Sequence, residues 1–123
     1  MILVDSSVWI DHLRHGNDTL AELLQDERVL SHPCVIGELS LGDARQRETI
    51  KNALQGMAQC SVADSAEVLL AIERHALFGC GIGYVDAQLL AAVLLEPGAL
   101  LWTLDLRLQR AAARLGLAFG AHH

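Results

Sequence analysis

Ile2-Leu3-Val4-Asp5-Ser6-Ser7-Val8-Trp9-Ile10-Asp11 opens the chain and holds a strand, an acid and the start of a helix in ten residues. The aliphatic run Ile2 to Val4 predicts a short buried strand, because successive side chains of a strand point to opposite faces and all three here are apolar. Asp5 closes the run, and a helix is expected from about Ser6 to Arg14. The same grammar returns near the other end. Leu100-Leu101-Trp102-Thr103-Leu104 is a strand closed by Asp105, followed by a helix over Leu106 to Leu115 that Gly116 ends.

Short apolar runs alternate with helical patterns in between. Leu20, Leu23 and Leu24 fall at helical spacing within Thr19 to Gln25, behind Asn17 or Asp18 as an N-cap. Val29-Leu30-Ser31 reads as a second strand, and a helix opens at Pro33, where proline is tolerated. Arg45 to Met57 predicts a polar helix and Cys60-Ser61-Val62 a third short strand. Asp64 or Ser65 caps a helix over Ala66 to Phe78, Gly79 to Gly83 is a loop, and Leu117-Ala118-Phe119 is a last strand. Tyr84 to Leu95 is apolar nearly all round, so that helix should be central. Strands alternating with helices through short links predict the α/β class. The expected architecture is a three-layer α/β/α sandwich around a parallel sheet of four to five short strands, one domain over residues 1–123.

Composition narrows the function. The chain has 123 residues, 52% hydrophobic and 4% aromatic, so its core is aliphatic and large enough to need no disulfide or structural metal. The most apolar stretch, Leu89 to Leu95, stops at Glu96-Pro97-Gly98, far short of the ~20 residues of a membrane span. No basic segment precedes Asp5, so a cytoplasmic protein is expected. Cys34, Cys60 and Cys80 lack C-x-x-C spacing and read as reduced thiols, mostly buried. A net charge of −6 argues against generic nucleic-acid coating, though not against a nuclease whose substrate phosphates are met by divalent ions. The cations are arginines except for Lys51. Arg14, Arg107 and Arg110, with Arg114, adjoin the acidic strand ends and are candidate phosphate contacts.

Four acids stand where packing does not explain them. Asp5 and Asp105 follow apolar strands, at the carboxyl ends where open parallel sheets place their sites. Asp86 opens the most apolar helix, and Glu38 interrupts Cys34-Val35-Ile36-Gly37-Glu38-Leu39. The bland reading makes Asp5, Asp86 and Asp105 helix N-caps. Glu38 sits a turn into its helix, and no cap explains it. Brought together, four carboxylates repel one another unless they bind protons or cations. Ser7 and Thr103, each two residues from an acid, are supporting polar candidates able to orient a carboxylate.

These residues resemble a known family. Leu3-Val4-Asp5-Ser6-Ser7-Val8-Trp9-Ile10-Asp11, Val35-Ile36-Gly37-Glu38-Leu39, Asp86-Ala87 and Trp102-Thr103-Leu104-Asp105 are similar, in order and nearly end to end, to PIN-domain ribonucleases of the VapC-like toxin class. The resemblance implies a metal-dependent endoribonuclease, with Asp5, Glu38, Asp86 and Asp105 as its active site and Ser7 and Thr103 supporting it. It also implies Mg²⁺ or Mn²⁺ as cofactor, a homodimer, and a small antitoxin partner whose tail occupies the acidic groove. Some relatives carry a further acid soon after the third; here Gln88 and Leu89 follow, and no fifth acid is assigned.

Other readings fit less of the chain. A receiver-like phosphoacceptor domain wants adjacent acids after its first strand and a late lysine, but Asp5 is followed by Ser6-Ser7 and no lysine follows Lys51. A haloacid-dehalogenase-type phosphatase wants an acid where Ser7 stands. Gly79 to Gly83 lacks dinucleotide-binding spacing and follows a helix. His12 and His15 could share a metal but read as surface or core-edge histidines. A catalytically silent PIN-fold binding module is the alternative from another class, and the intact acids count against it.

Overall fold

The computed structural model describes residues 1–43 and 46–120. Three parallel strands, β1 (Ile2–Val4), β2 (Val29–Leu30) and β3 (Leu100–Trp102), form a sheet in the order β2-β1-β3. Ile2 pairs with Val29 on one side and with Leu100 on the other. Ile2, Leu3 and Val4 are all buried. Because they alternate between faces, both faces of the sheet are covered, as a sandwich requires.

Among the described residues seven helices do the covering: α1 (Ser6–His15), α2 (Asp18–Gln25), α3 (Pro33–Ser40), α4 (Arg47–Gln55), α5 (Ser65–Arg74), α6 (Tyr84–Leu95) and α7 (Leu106–Arg114). The expected start of α4 at Arg45 lies outside the described residues, as do His122 and His123. α6 matches its expected bounds, and its central place explains the all-round apolarity. Ala87, Leu89, Leu90, Ala91, Ala92 and Val93 are buried, and its last turn, Leu94-Leu95, is exposed.

The sheet has three strands where four to five were expected. The two missing edges are present as single bridges, Ser31 to Gln59 and Leu101 to Ala118. Each is held by two backbone bonds. Ser31 N–H donates to Ala58 (2.9 Å) and Cys60 N–H to Ser31 (2.8 Å); Leu101 N–H donates to Leu117 (2.7 Å) and Phe119 N–H to Leu101 (2.9 Å). The Cys60-Ser61-Val62 run leaves the sheet after this one contact. Ser61 instead donates its N–H and hydroxyl to Glu96.

Caps set where the helices begin. Asn17 Oδ1 accepts from Leu20 N–H at 3.0 Å, and Asp64 with Glu67 forms a reciprocal capping box at α5. α3 uses a cap that the sequence did not suggest. His32 Nδ1 accepts from Cys34 N–H at 3.0 Å, which puts the ring proton on Nε2. Burial pushes the His32 pKa down, in keeping with a neutral capping ring.

Of the cysteines, only Cys60 is buried, and all three are free thiols. The expectation of mostly buried thiols fails for Cys34 and Cys80, which are half-buried. Cys80 donates to Leu77 O and Cys34 to Gln88 Oε1. Burial first, then the neighbouring Glu96, pushes the Cys60 thiol up to about 11, so it is unreactive at neutral pH.

Candidate active site

β1 and β3 run side by side, so their carboxyl ends deliver Asp5 and Asp105 to the same end of the sheet. Asp5 N–H donates to Trp102 O at 2.9 Å, extending the pairing up to the acid itself. The Asp5 side chain is buried at 6% exposure and makes no cap bond to α1. It faces hydroxyls instead. Ser7 and Thr103 each donate to Asp5 Oδ2 at 2.8 Å, and the two hydroxyl oxygens lie 3.3 Å apart.

Backbone groups back up those hydroxyls. Leu104 N–H donates to Ser7 Oγ and Asp105 N–H to Thr103 Oγ1, both at 3.0 Å. Each chain runs from N–H to hydroxyl to carboxylate, an order in which every bond polarises the next. Ser7 and Thr103, the supporting polar candidates, thus both bond the Asp5 carboxylate.

Glu38 comes in from α3. Its Oε2 accepts from Ser6 Oγ at 3.2 Å, a serine whose hydroxyl also lies 3.5 Å from Asp5 Oδ1. Ser6 has one proton and two acidic neighbours, and the shorter contact is to Glu38. Sequence reasoning passed over Ser6; its adjacency to Asp5 was the available signal. Partial burial of the carboxyl group is the first cause pushing the Glu38 pKa up. The Ser6 bond opposes it, and repulsion from Asp5 and Asp86 adds to it.

Asp86 occupies the first turn of α6 and its Oδ2 accepts from Gly83 N–H at 3.2 Å. Its pKa is also raised, by burial first, against the Gly83 bond, and further by Asp5 and Asp105. Asp105 caps α7, with Oδ1 accepting from Arg107 and Leu108 N–H at 2.9 and 3.1 Å. A bond at a helix start and a place among the acids are thus not alternatives for these two residues, since each carboxylate has both. The mutual repulsions link Glu38 to Asp5 and Asp86, and Asp86 to Asp5 and Asp105. All four acids therefore belong to one electrostatic cluster.

One pattern runs through the cluster. Each carboxylate has one oxygen held by protein hydrogen bonds of 2.8–3.2 Å and the other with no closer contact than 3.5 Å among the described residues. The engaged oxygens are Asp5 Oδ2, Glu38 Oε2, Asp86 Oδ2 and Asp105 Oδ1. Their partners make no bond among the described residues, save the 3.5 Å approach of Ser6 to Asp5 Oδ1. Four hard oxygen donors with excess negative charge are the donor set that suits Mg²⁺ or Mn²⁺. Among the described residues no three His, Cys, Asp or Glu side chains close into a ready-made metal cluster.

The arginines divide. Arg14 shares with Glu38 a pocket of about 350 Å³ that Ile10, Leu13, Leu39 and Ile50 also line. Arg107 lies across the loop ahead of α6. A Cβ at Gly81, where φ is +83°, would stand 2.8 Å from Arg107 Cδ and 3.2 Å from Nε and Nη1. Glycine there leaves room for the Arg107 side chain against this loop. Arg110 is exposed on α7 and makes no ion pair among the described residues. Arg114 is structural: it donates to His75 O at 2.9 Å and Ala76 O at 3.2 Å, closing the end of α5. His12 is also committed, accepting Asn17 N–H on Nδ1 at 2.9 Å.

A pH-dependent stability follows from Glu38. Its pKa is raised above the ordinary 4.5, so its contribution is fully present below that value and is lost as pH rises through the folded-state pKa. The metal-free protein should therefore be strained at neutral pH. Glu38→Gln is expected to raise its Tm by a few degrees at pH 7 in chelator and to leave it unchanged near pH 4. The effect is small because solvent screens a group this exposed. Thermal melts across that range check it, and an unchanged or lower Tm at pH 7 would remove the repulsion from the account.

Residues 2–114 match the family described as PIN domain. Over 118 residues, covering 96% of this chain and 95% of the relative, the sequence is 48% identical to Ribonuclease VapC32 of Mycobacterium tuberculosis strain CDC 1551 / Oshkosh. The same identity and coverage hold for Ribonuclease VapC32 of strain ATCC 25618 / H37Rv.

Proposed function

The chain belongs to the PIN-domain family, among its VapC-like ribonucleases, and from that premise we propose that its four carboxylates form a divalent-metal-dependent site for RNA hydrolysis. The observation that carries the reading is the open oxygen on each of Asp5, Glu38, Asp86 and Asp105, anchored through its partner oxygen. Asp5 and Asp86 are the principal ligands proposed, with Glu38 and Asp105 completing the set. When bound, a Mg²⁺ or Mn²⁺ ion offsets charge on the phosphate and lowers the pKa of water.

The chain's own residues supply the rest. Ser7 and Thr103 hold Asp5 in one rotamer, so its open oxygen points the same way before substrate arrives. Ser6 holds Glu38 Oε2 in the same way, which leaves Oε1 for the proposed donor set. Arg107 and Arg14 flank the cluster as proposed phosphate contacts; Arg110, a turn further along α7, extends that edge.

We propose that this chain is the toxin of a toxin–antitoxin pair, acting on RNA in the cytoplasm as a single domain over residues 1–123; its likeness to Ribonuclease VapC32 supports the ribonuclease part of that reading. We propose that the antitoxin lies in the apolar pocket of Ile10, Leu13, Leu39 and Ile50 and sends a cationic side chain towards Glu38, an apt partner for an acidic cluster. A homodimer is proposed as well; Leu69, Leu70, Leu94 and Leu95, exposed on α5 and α6, offer apolar surface for it. Among the described residues no helix is long and apolar enough to cross a membrane.

The test is direct. Purified protein, free of antitoxin, is incubated with end-labelled single-stranded RNA in Mg²⁺ or Mn²⁺. Discrete shorter products are expected. RNA that stays intact in both ions, over a range of sequences, would favour the silent binding module instead.

A further inference from the structure

A second cleft of about 660 Å³ adjoins the carboxylates. Thr103 is the shared wall: its hydroxyl donates to Asp5 while the residue also lines this cleft. Trp102 and Phe119 form its aromatic wall, their rings 5.1 Å apart and tilted by 53°. Leu104 and Leu106, on either side of Asp105, are 49% and 63% exposed. The Gln109 side chain lines the cleft too and makes no hydrogen bond among the described residues.

Apolar and aromatic surface packed around an acid does nothing for a phosphate. The net charge of −6 also makes phosphate attraction a weak source of affinity for this chain. A phosphodiester held at Asp5 and Asp105 carries a nucleoside on each side, and one of the two must cross the ground beside Asp105. Unstacked bases are recognised by stacking on aromatic rings, with hydrogen bonds to their edges supplying preference.

We propose that this cleft is a nucleobase subsite. It takes the base of a nucleotide flanking the scissile phosphodiester of single-stranded RNA, stacked against the Trp102–Phe119 wall, with the Gln109 carboxamide reading the base edge. The proposal rests on the ribonuclease reading and adds to it where sequence preference comes from.

The chain has two tryptophans, and Trp9 is buried at 6% exposure. Quenching of tryptophan fluorescence by RNA therefore reports on Trp102. The experiment titrates short single-stranded RNA oligomers into Asp5→Asn protein, which leaves them uncut, and follows both fluorescence and the anisotropy of a labelled oligomer. Saturable quenching is expected. Removing one base at the flanking position should weaken binding about tenfold. Trp102→Phe should keep most of the affinity and Trp102→Leu lose about tenfold, while Gln109→Ala should alter the ranking of the four homopolymers. Because Trp102→Phe retains an aromatic face, it separates stacking from a packing defect.

Binding seen by anisotropy without quenching, and equally tight for Trp102→Leu, overturns the subsite. So does quenching by a Leu- and Arg-rich amphipathic peptide but not by RNA, which would make the cleft a protein-docking surface. Wild-type protein that cuts RNA with a KM unaffected by Trp102→Leu defeats the subsite alone. Wild-type protein that cuts no RNA defeats the ribonuclease reading beneath it.

Discussion

Asp5→Asn is expected to lower RNA cleavage by at least about 100-fold, the scale of losing one preorganised charged group at a reacting phosphate, while leaving the protein folded. The geometry separates the two effects. Asn Oδ1 can take the place of Asp5 Oδ2 and accept the Ser7 and Thr103 hydroxyls at the observed 2.8 Å. Asn Nδ2 then stands where the open oxygen was, and an N–H group cannot bind a cation. The net change in hydrogen bonding should cost no more than about 1 kcal/mol, and removing a charge from a nearly buried site works in the opposite direction. Circular dichroism and the melting curve should stay close to wild type while product formation disappears. Cleavage by the variant within threefold of wild type would show that Asp5 is structural and that the chemistry lies elsewhere.

Leu90→Ala carries the largest expected effect on stability. Leu90 is fully buried in α6, the helix that brings Asp86 to the cluster. Truncation removes apolar contacts and leaves a cavity in a tightly packed interior, at a cost of about 3 kcal/mol. Set against a total stability of ~5–15 kcal/mol, that should lower Tm by about 10 °C. Leu94→Ala, at an exposed position of the same helix, should change it little. Denaturant melts of the pair test whether α6 is the centre of the domain, and equal losses from both would contradict it.

The sequence disclosed α6 because a helix surrounded by protein leaves no polar face to confuse its period. It disclosed β1 and β3 because a short apolar run with an acid soon after it suits a strand covered on both sides. The edge segments were harder. Cys60-Ser61-Val62 and Leu117-Ala118-Phe119 look like strands by composition, but a strand's length depends on how long its neighbour stays alongside. That is a tertiary property, and the structure allows each a single bridge.

The four acids were legible individually, while their double duty was not. Asp86 and Asp105 spend one oxygen on a helix start and keep the other, a division invisible in a residue name. Ser6 escaped notice because only the approach of α3 to α1 gives its hydroxyl the Glu38 carboxylate as partner. Arg114 was grouped with the phosphate contacts because charge and spacing do not reveal that two carbonyls of the α5 terminus already hold its guanidinium. His32 was missed as a cap because histidine rarely serves as one, and burial rather than sequence holds its ring in the neutral form.

The account stands or falls on the link between cation and cleavage. The measurement that reaches it is the initial rate of RNA cleavage against Mg²⁺ or Mn²⁺ concentration, run beside the Tm of the same protein without RNA. Four mutually repelling carboxylates predict that the ion raises Tm, that the rate and the Tm shift saturate together, and that excess chelator abolishes both. A rate unaltered in excess chelator would contradict the account.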